Sequence, residues 1–215
     1  MNYTFDHGLF MALNFDGGPV FDRAMLAVSG TAMWIPLYLL MLWLVWRREG
    51  WRGAALFVAA VGLALGLSDV VCGVFKHSGP LGWLLPDFPP RWRPMFTPAL
   101  EGLDIAPDSL MRWRIHPTAD LPSAVHVPSE ALGGRYGTVS AHAATIVSLA
   151  VVSARAIGRR WYAWLMAAAT VLICYSRIYL AKHFPGDLVL GAAVGAAVGA
   201  LSYRLYASAL VRLGR

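Results

Sequence analysis

From Ser176 to Asp187 the chain reads Ser-Arg-Ile-Tyr-Leu-Ala-Lys-His-Phe-Pro-Gly-Asp, which puts Arg177, Lys182, His183 and Asp187 at the end of a long apolar stretch. Ionisable groups beside apolar spans are costly in lipid and usually face a polar cavity or each other, so the run reads as a functional site. Val139-Ser140-Ala141-His142 opens a second apolar stretch, and Lys76 closes an earlier one. Lys76, Arg177 and one or more arginines of Arg91-Trp92-Arg93-Pro94 are donors without acceptor capacity, and Ser140 adds a hydroxyl. With the amides of a helix opening at Ser140, Ala141 and His142, these groups match the charge and shape of phosphate. Two histidines in such a site can divide phosphoryl transfer, one attacking phosphorus and the other protonating the departing oxygen. Pro185-Gly186 ends one helix, which places Asp187 as the N-cap of the next, across a turn from His183. A carboxylate that holds one imidazole nitrogen leaves the other free to attack, so His183 is the expected nucleophile and His142 the general acid. Arg177, six residues before His183 and about 9 Å below it at helical rise, is expected to point its fork up at the anion.

These groups need helices to carry them. Of 215 residues, 58% are hydrophobic and 14% charged, with a mean hydropathy of +0.55, which excludes an ordinary soluble domain. The expected fold is all-α, an integral membrane bundle of about five or six helices. Residues 26–46, 53–75, 139–157, 161–181 and 188–210 each approach the ~20 apolar residues that a span requires. Pro36 is expected to interrupt the first of these, as membrane helices tolerate. The N-terminal stretch lacks a basic region and a cleavage site and is expected to lie at the interface. Cys72 and Cys174 fall within spans as apolar packing groups, with no disulfide expected.

Charge sets the orientation. One side receives Arg47, Arg48, Arg52, Arg155, Arg159, Arg160, Arg204, Arg212 and Arg215, opposed only by Glu49, and is therefore cytoplasmic. The net charge of +6 is an orientation signal, and no basic run argues for nucleic acid. Lys76, His142, His183 and Asp187 then meet on the outer side. The expected location is the inner (cytoplasmic) membrane of a bacterium, multi-pass, with the site facing outward.

The residues resemble the phosphatidic acid phosphatase type 2 superfamily, membrane lipid phosphatases related to vanadium haloperoxidases. Ser176-Arg177, five residues, His183, three residues, Asp187 is similar to its third motif in full. Val139-Ser140-Ala141-His142 keeps the serine and histidine of the second, with its proline and glycine replaced. The first motif, a lysine, six residues and Arg-Pro, is stretched: sixteen residues separate Lys76 from Arg93-Pro94. Arg91 competes with Arg93, and only Arg93 keeps the following proline. The resemblance, over residues 34–200, implies double displacement through a phosphohistidine on His183, with His142 as acid. It implies that Lys76, Arg93, Ser140, Ala141 and Arg177 hold the phosphate, and that no metal and no cofactor take part. Trp34-Ile35-Pro36-Leu37-Tyr38 and Gly134-Arg135-Tyr136-Gly137 resemble small bacterial members acting on polyprenyl diphosphates or lipid A phosphates.

Residues 1–215 are thus expected to form a single membrane-embedded phosphatase domain. Its outer segment, 76–137, carries the first motif and a loop that would read the lipid headgroup. Undecaprenyl diphosphate is the first expected substrate, followed by lipid A phosphate and glycerophospholipid phosphates, and a lipid phosphotransferase would use the same residues. A transporter or channel is the non-enzyme reading, but it needs polar groups along the depth of several helices, and here they gather at one end. A metal site at His142, His183 and Asp187 is disfavoured by the surplus of cations. Lys182 is expected to be a snorkelling anchor. Asp69 is expected to form a structural ion pair, and His77, His116 and His126 to be plain loop residues. Gly191, Gly195 and Gly199 are expected to pack helices within the bundle. Oligomeric state is left open.

Overall fold

The computed structural model describes residues 3–117, 121 and 123–214. Seven α-helices follow in order: α1 Tyr3–Leu13, α2 Gly18–Ser29, α3 Ile35–Val74, α4 Pro107–Ile115, α5 Ala141–Ile157, α6 Arg160–Tyr179 and α7 Pro185–Arg212. Among the described residues there is no strand, only a bridge between Trp92 and Tyr136. The fold is all-α, and the protein is an integral membrane helical bundle.

The first apolar stretch differs from expectation at its start. Leu26 belongs to α2, which ends at Ser29, and a short 3-10 turn, Ala32–Trp34, leads into α3. Pro36 therefore stands in the first turn of α3, where its missing N–H costs nothing, and it begins the helix without interrupting one. Forty residues of α3 would be about 60 Å long if straight, twice a hydrocarbon core. Gly50 breaks the run with φ 66° and ψ −176°, a conformation open to glycine. Met41 and Val45 from before the break share one core cluster with Phe57, Ala60 and Ala64 from after it, so the halves fold back along each other. Arg48 beside the turn donates to the carbonyls of Ala156 and Ile157 at 3.1 and 2.9 Å, closing the C-terminal end of α5.

Three segments, 32–74, Arg160–Tyr179 and Pro185–Arg212, are long and apolar enough to cross a membrane. Their outward faces carry exposed Leu39, Val58, Trp164, Val171 and Val189, as helices solvated by lipid do. The 17-residue α5 is the central helix, packed against α3, α6 and α7. Its contact with α7 is a glycine seam. A Cβ at Gly195 would come within 2.9 Å of the Ala144 Cα, and one at Gly199 within 2.9 Å of the Ser148 Cα. That seam brings the N-terminal ends of α5 and α7 together, with the Ser140 amide donating to the Asp187 carbonyl at 3.0 Å.

The N-terminal helix packs against the helix ends of the bundle. Phe10 of α1 is fully buried against Phe184, ring centroids 5.4 Å apart, and Asp6 and Asn14 are buried beside it. The segment after α3 packs Met95, Phe96 and Val125 into the same cluster, so it forms a cover over the helix ends. Trp92 is half-buried with its ring edge-on to Tyr136, centroids 5.3 Å apart, whereas Trp83 is exposed. Residues 118–120 and 122 of that segment lie outside the described residues.

Because the α5 and α7 backbones touch along the seam, Gly195→Val should overpack it by about 1–3 kcal/mol or more. A thermal melt in detergent should show a midpoint below that of wild type.

Candidate active site

The site forms where α6 ends and α7 begins. After Tyr179 the chain turns sharply, and the amides of Lys182 and His183 both donate to the Arg177 carbonyl, at 2.9 and 3.3 Å. His183 is thus folded back beside Arg177, not 9 Å above it, because the helix stops and the turn through Leu180 and Ala181 reverses the chain. His183 is 1% exposed. Burial first, and then the nearby charges of Lys76, Arg177 and Arg93, hold its imidazole well below the usual histidine value, so it is neutral near pH 7. A neutral imidazole keeps the lone pair that nucleophilic attack requires.

Asp187 is not the N-cap of α7. Phe184 holds that position, and the Asp187 side chain, three residues in, reaches back to accept the Phe184 amide at 3.0 Å. The same oxygen lies 3.7 Å from His183 Nδ1, too long for a hydrogen bond, and that nitrogen has no hydrogen-bond partner among the described residues. Gly137 lets the two approach, since a Cβ there would lie 3.0 Å from the carboxylate and 3.5 Å from the ring nitrogen.

Ser140 caps α5, its oxygen accepting the Ala143 amide at 3.3 Å, which leaves its hydroxyl proton to donate elsewhere. The amides of Ala141 and His142 are first-turn donors with no partner within the helix, as an anion site requires. His142 stands exposed at the mouth of a cavity of about 580 Å³. Trp34, Tyr38, Phe57 and Leu149 line its depth, and Ser29, Thr145 and Asp69 add polar atoms to the lining. The cavity therefore joins a histidine to an apolar slot between helices. Arg177 donates to Ser29 Oγ on this wall.

Four cations surround the histidines. Lys76, Arg93, Arg177 and Lys182 all act electrostatically on His142. Burial, reinforced by Arg93 and partly offset by Asp187 and Asp69, brings the Lys76 ammonium down to about 8. Lys182, against expectation, is half-buried within this cluster, and burial with Arg93 and Arg177 brings it to about 8 as well. The two candidate arginines part company. Arg93 bonds the carbonyls of Tyr136 and Gly133 at 3.2 and 2.8 Å and belongs to the cluster. Arg91 lies behind it, 2.5 Å from Asp6, 3.5 Å from Asp187 and stacked 3.6 Å from the Phe184 ring centroid.

Sequence reasoning passed over Asp6 and Asn14. Asp6 accepts the Gly186 amide at 2.8 Å and pairs with Arg91. Asn14 donates to the carbonyls of Ile178 and Tyr179, at 3.3 and 2.9 Å. One N-terminal helix thus holds both sides of the His183 turn. The spacing of Asp6, Phe10 and Asn14, four residues apart on one helix face, was the available signal. His126 is likewise no plain loop residue: its Nε2 lies 2.8 Å from Asp22, which also accepts the Tyr179 hydroxyl.

A buried histidine, a second histidine on an apolar cavity and four cations acting on that second ring, gathered at one end of a helical bundle, suit a membrane enzyme that handles phosphate on a lipid. A family model described as the PAP2 superfamily matches residues 57–209, and the chain belongs to that family. It is a membrane lipid phosphatase, a hydrolase. It is 29% identical over 199 residues to a lipid A 4'-phosphatase of Bacteroides thetaiotaomicron, covering 92% of this chain and 75% of that one. It is 26% identical over 201 residues to a lipid A 4'-phosphatase of Porphyromonas gingivalis, covering 94% and 72%. No solved structure matches.

Lys76 and Lys182 are charged below their folded values and lose that charge as pH rises through about 8. The free enzyme's kcat/KM should therefore fall above about pH 8, and arginine at both positions should remove that limb of the profile. Asp6→Ala breaks a buried pair worth about 3–5 kcal/mol when one partner is lost. It should lower the melting midpoint, and phosphate release should fall about tenfold or more as the His183 turn loosens.

Proposed function

We propose that the protein removes a phosphate monoester from lipid A at the outer face of the cytoplasmic membrane, through a phosphohistidine on His183. The observation that carries the reading is that His142, on which Lys76, Arg93, Arg177 and Lys182 act electrostatically, also lines the 580 Å³ apolar cavity. A lipid whose acyl chains fill that slot presents its headgroup to the cluster. Both similar proteins are named for lipid A, which takes the place of undecaprenyl diphosphate as the first expectation.

In this reading, Lys76, Arg93, Arg177, the Ser140 hydroxyl and the first amides of α5 hold the phosphate oxygens. They stabilise the charge that spreads over them in the transition state. His183 attacks phosphorus through Nε2 while Asp187 takes up Nδ1–H, a small ring shift closing the 3.7 Å gap. The P–O bond to the lipid breaks, and His142, which takes up a proton from solvent once the bound phosphate's negative charge offsets the four cations, gives that proton to the departing sugar oxygen. Water then attacks the phosphohistidine, passes a proton to His142 and leaves inorganic phosphate with His183 restored. The charge of the phosphate is met throughout by protein cations, so the reading needs no metal and no cofactor. The arginines about the Gly50 turn, at the end opposite the site, support a cytoplasmic location for that end and a periplasmic one for the site.

The deciding experiment measures phosphate release by purified protein in excess chelator, offering lipid A, undecaprenyl diphosphate and phosphatidic acid in turn. Release from lipid A that persists in chelator and vanishes in His183→Ala is expected, with His142→Ala slowed by about 10²–10⁴. Release only from undecaprenyl diphosphate, or release unchanged in His183→Ala, would refute the substrate or the nucleophile respectively.

A further inference from the structure

Lys182 directly precedes His183, and the fold handles the two residues together. Their amides share the Arg177 carbonyl, and Ala181, just before them, adopts φ 51°, a left-handed conformation that a residue with a Cβ adopts at a cost. Ala181 is fully buried and its carbonyl accepts the Met95 amide at 3.2 Å, so the surroundings enforce the bend. The Ala181 amide also bonds the Ile178 carbonyl, so the bend is the left-handed termination of α6, and it fixes where the Lys182 backbone leaves the helix end. The Lys182 ammonium donates to the exposed Gly133 carbonyl at 3.3 Å. Arg93 Nη1 donates to that same oxygen at 2.8 Å.

Two full positive charges thus converge on one carbonyl, which carries only a partial negative charge. Among the described residues no carboxylate lies within 4.0 Å of either cation. Gly134 keeps this corner open, because a Cβ there would strike the Arg93 guanidinium at 2.7 Å. Like charges held together in a half-buried corner repel, and an anion placed between them relieves that repulsion.

We propose that Lys182 is a phosphate-binding residue: with Arg93 it grips the non-bridging oxygens of the substrate phosphate from the Gly133 side. Lys182 and His183 are fixed to one carbonyl, so the grip and the nucleophile keep a constant relation to each other. The proposal rests on the reading of the His183 cluster as a phosphate site. It adds a cation that the three sequence motifs do not contain.

Inorganic phosphate and orthovanadate are the probes, since they occupy a phosphate site without any lipid contact. Their inhibition constants and calorimetric affinities would be measured at pH 7 for wild type, Lys182→Met, which keeps the stem and removes the charge, and Lys182→Arg. Removing one charge-assisted contact should weaken both anions about tenfold or more, with Lys182→Arg within about threefold of wild type. Equal anion affinity in wild type and Lys182→Met would overturn the proposal and return Lys182 to the role of a surface anchor. A wild type that binds neither anion would overturn the phosphate-site reading beneath it. Melting temperatures establish that the variants fold, and Lys182→Gln carries the same comparison should Lys182→Met fail to.

Discussion

The Asp187 carboxylate joins three parts of the molecule that the chain keeps far apart. One oxygen accepts the Phe184 amide and faces the His183 ring, and the other faces Arg91, which Asp6 holds from the opposite side. A single buried carboxylate would be costly at this depth, and a lone guanidinium equally so. The alternation Asp6, Arg91, Asp187 neutralises each in turn. It also separates two kinds of cation: Arg91 is spent on the protein's own acids, whereas Lys76, Arg93, Arg177 and Lys182 surround the histidines with charge that an anion can meet.

That arrangement requires backbone contact. The α5 and α7 helices approach closely only because Gly191, Gly195 and Gly199 present no side chains to Ser140, Ala144 and Ser148. The close approach lets the Ser140 amide bond the Asp187 carbonyl and sets the open end of α5 beside the His183 turn. Asn14 satisfies the last carbonyls of α6 and Asp6 the first amides of α7, so α1 closes the turn from outside. Two carbonyls at the end of α6 and the Gly186 amide of α7 are thereby bonded from within the protein, as a membrane favours.

The same packing leaves an apolar slot. The fold-back at Gly50 places both halves of α3 along one wall, with Tyr38 and Met41 facing Phe57, and the slot between them reaches His142. A substrate with a charged head and an apolar tail fits a site that is cationic at one end and hydrocarbon-lined below.

Much of this was legible in the chain. The spacing of Arg177, His183 and Asp187 is local, so a short segment determined which residues face one another across the turn. Apolar length alone determined a helical membrane protein, because lipid admits little else. The asymmetry of arginines supplied the expectation of which end is cytoplasmic. Only the tertiary structure decided between Arg91 and Arg93, since both lie two residues apart in an irregular loop and their roles depend on Asp6, some 85 positions away. Only it revealed that Asp187 accepts the Phe184 amide in a capping box that local spacing alone left unassigned, and that Lys182, leaving the left-handed bend at Ala181, reaches the Gly133 carbonyl some 49 positions away. Periodicity and spacing record what neighbours along a helix do. The partners that meet across helix ends are set by long-range packing, and a single sequence carries little trace of it.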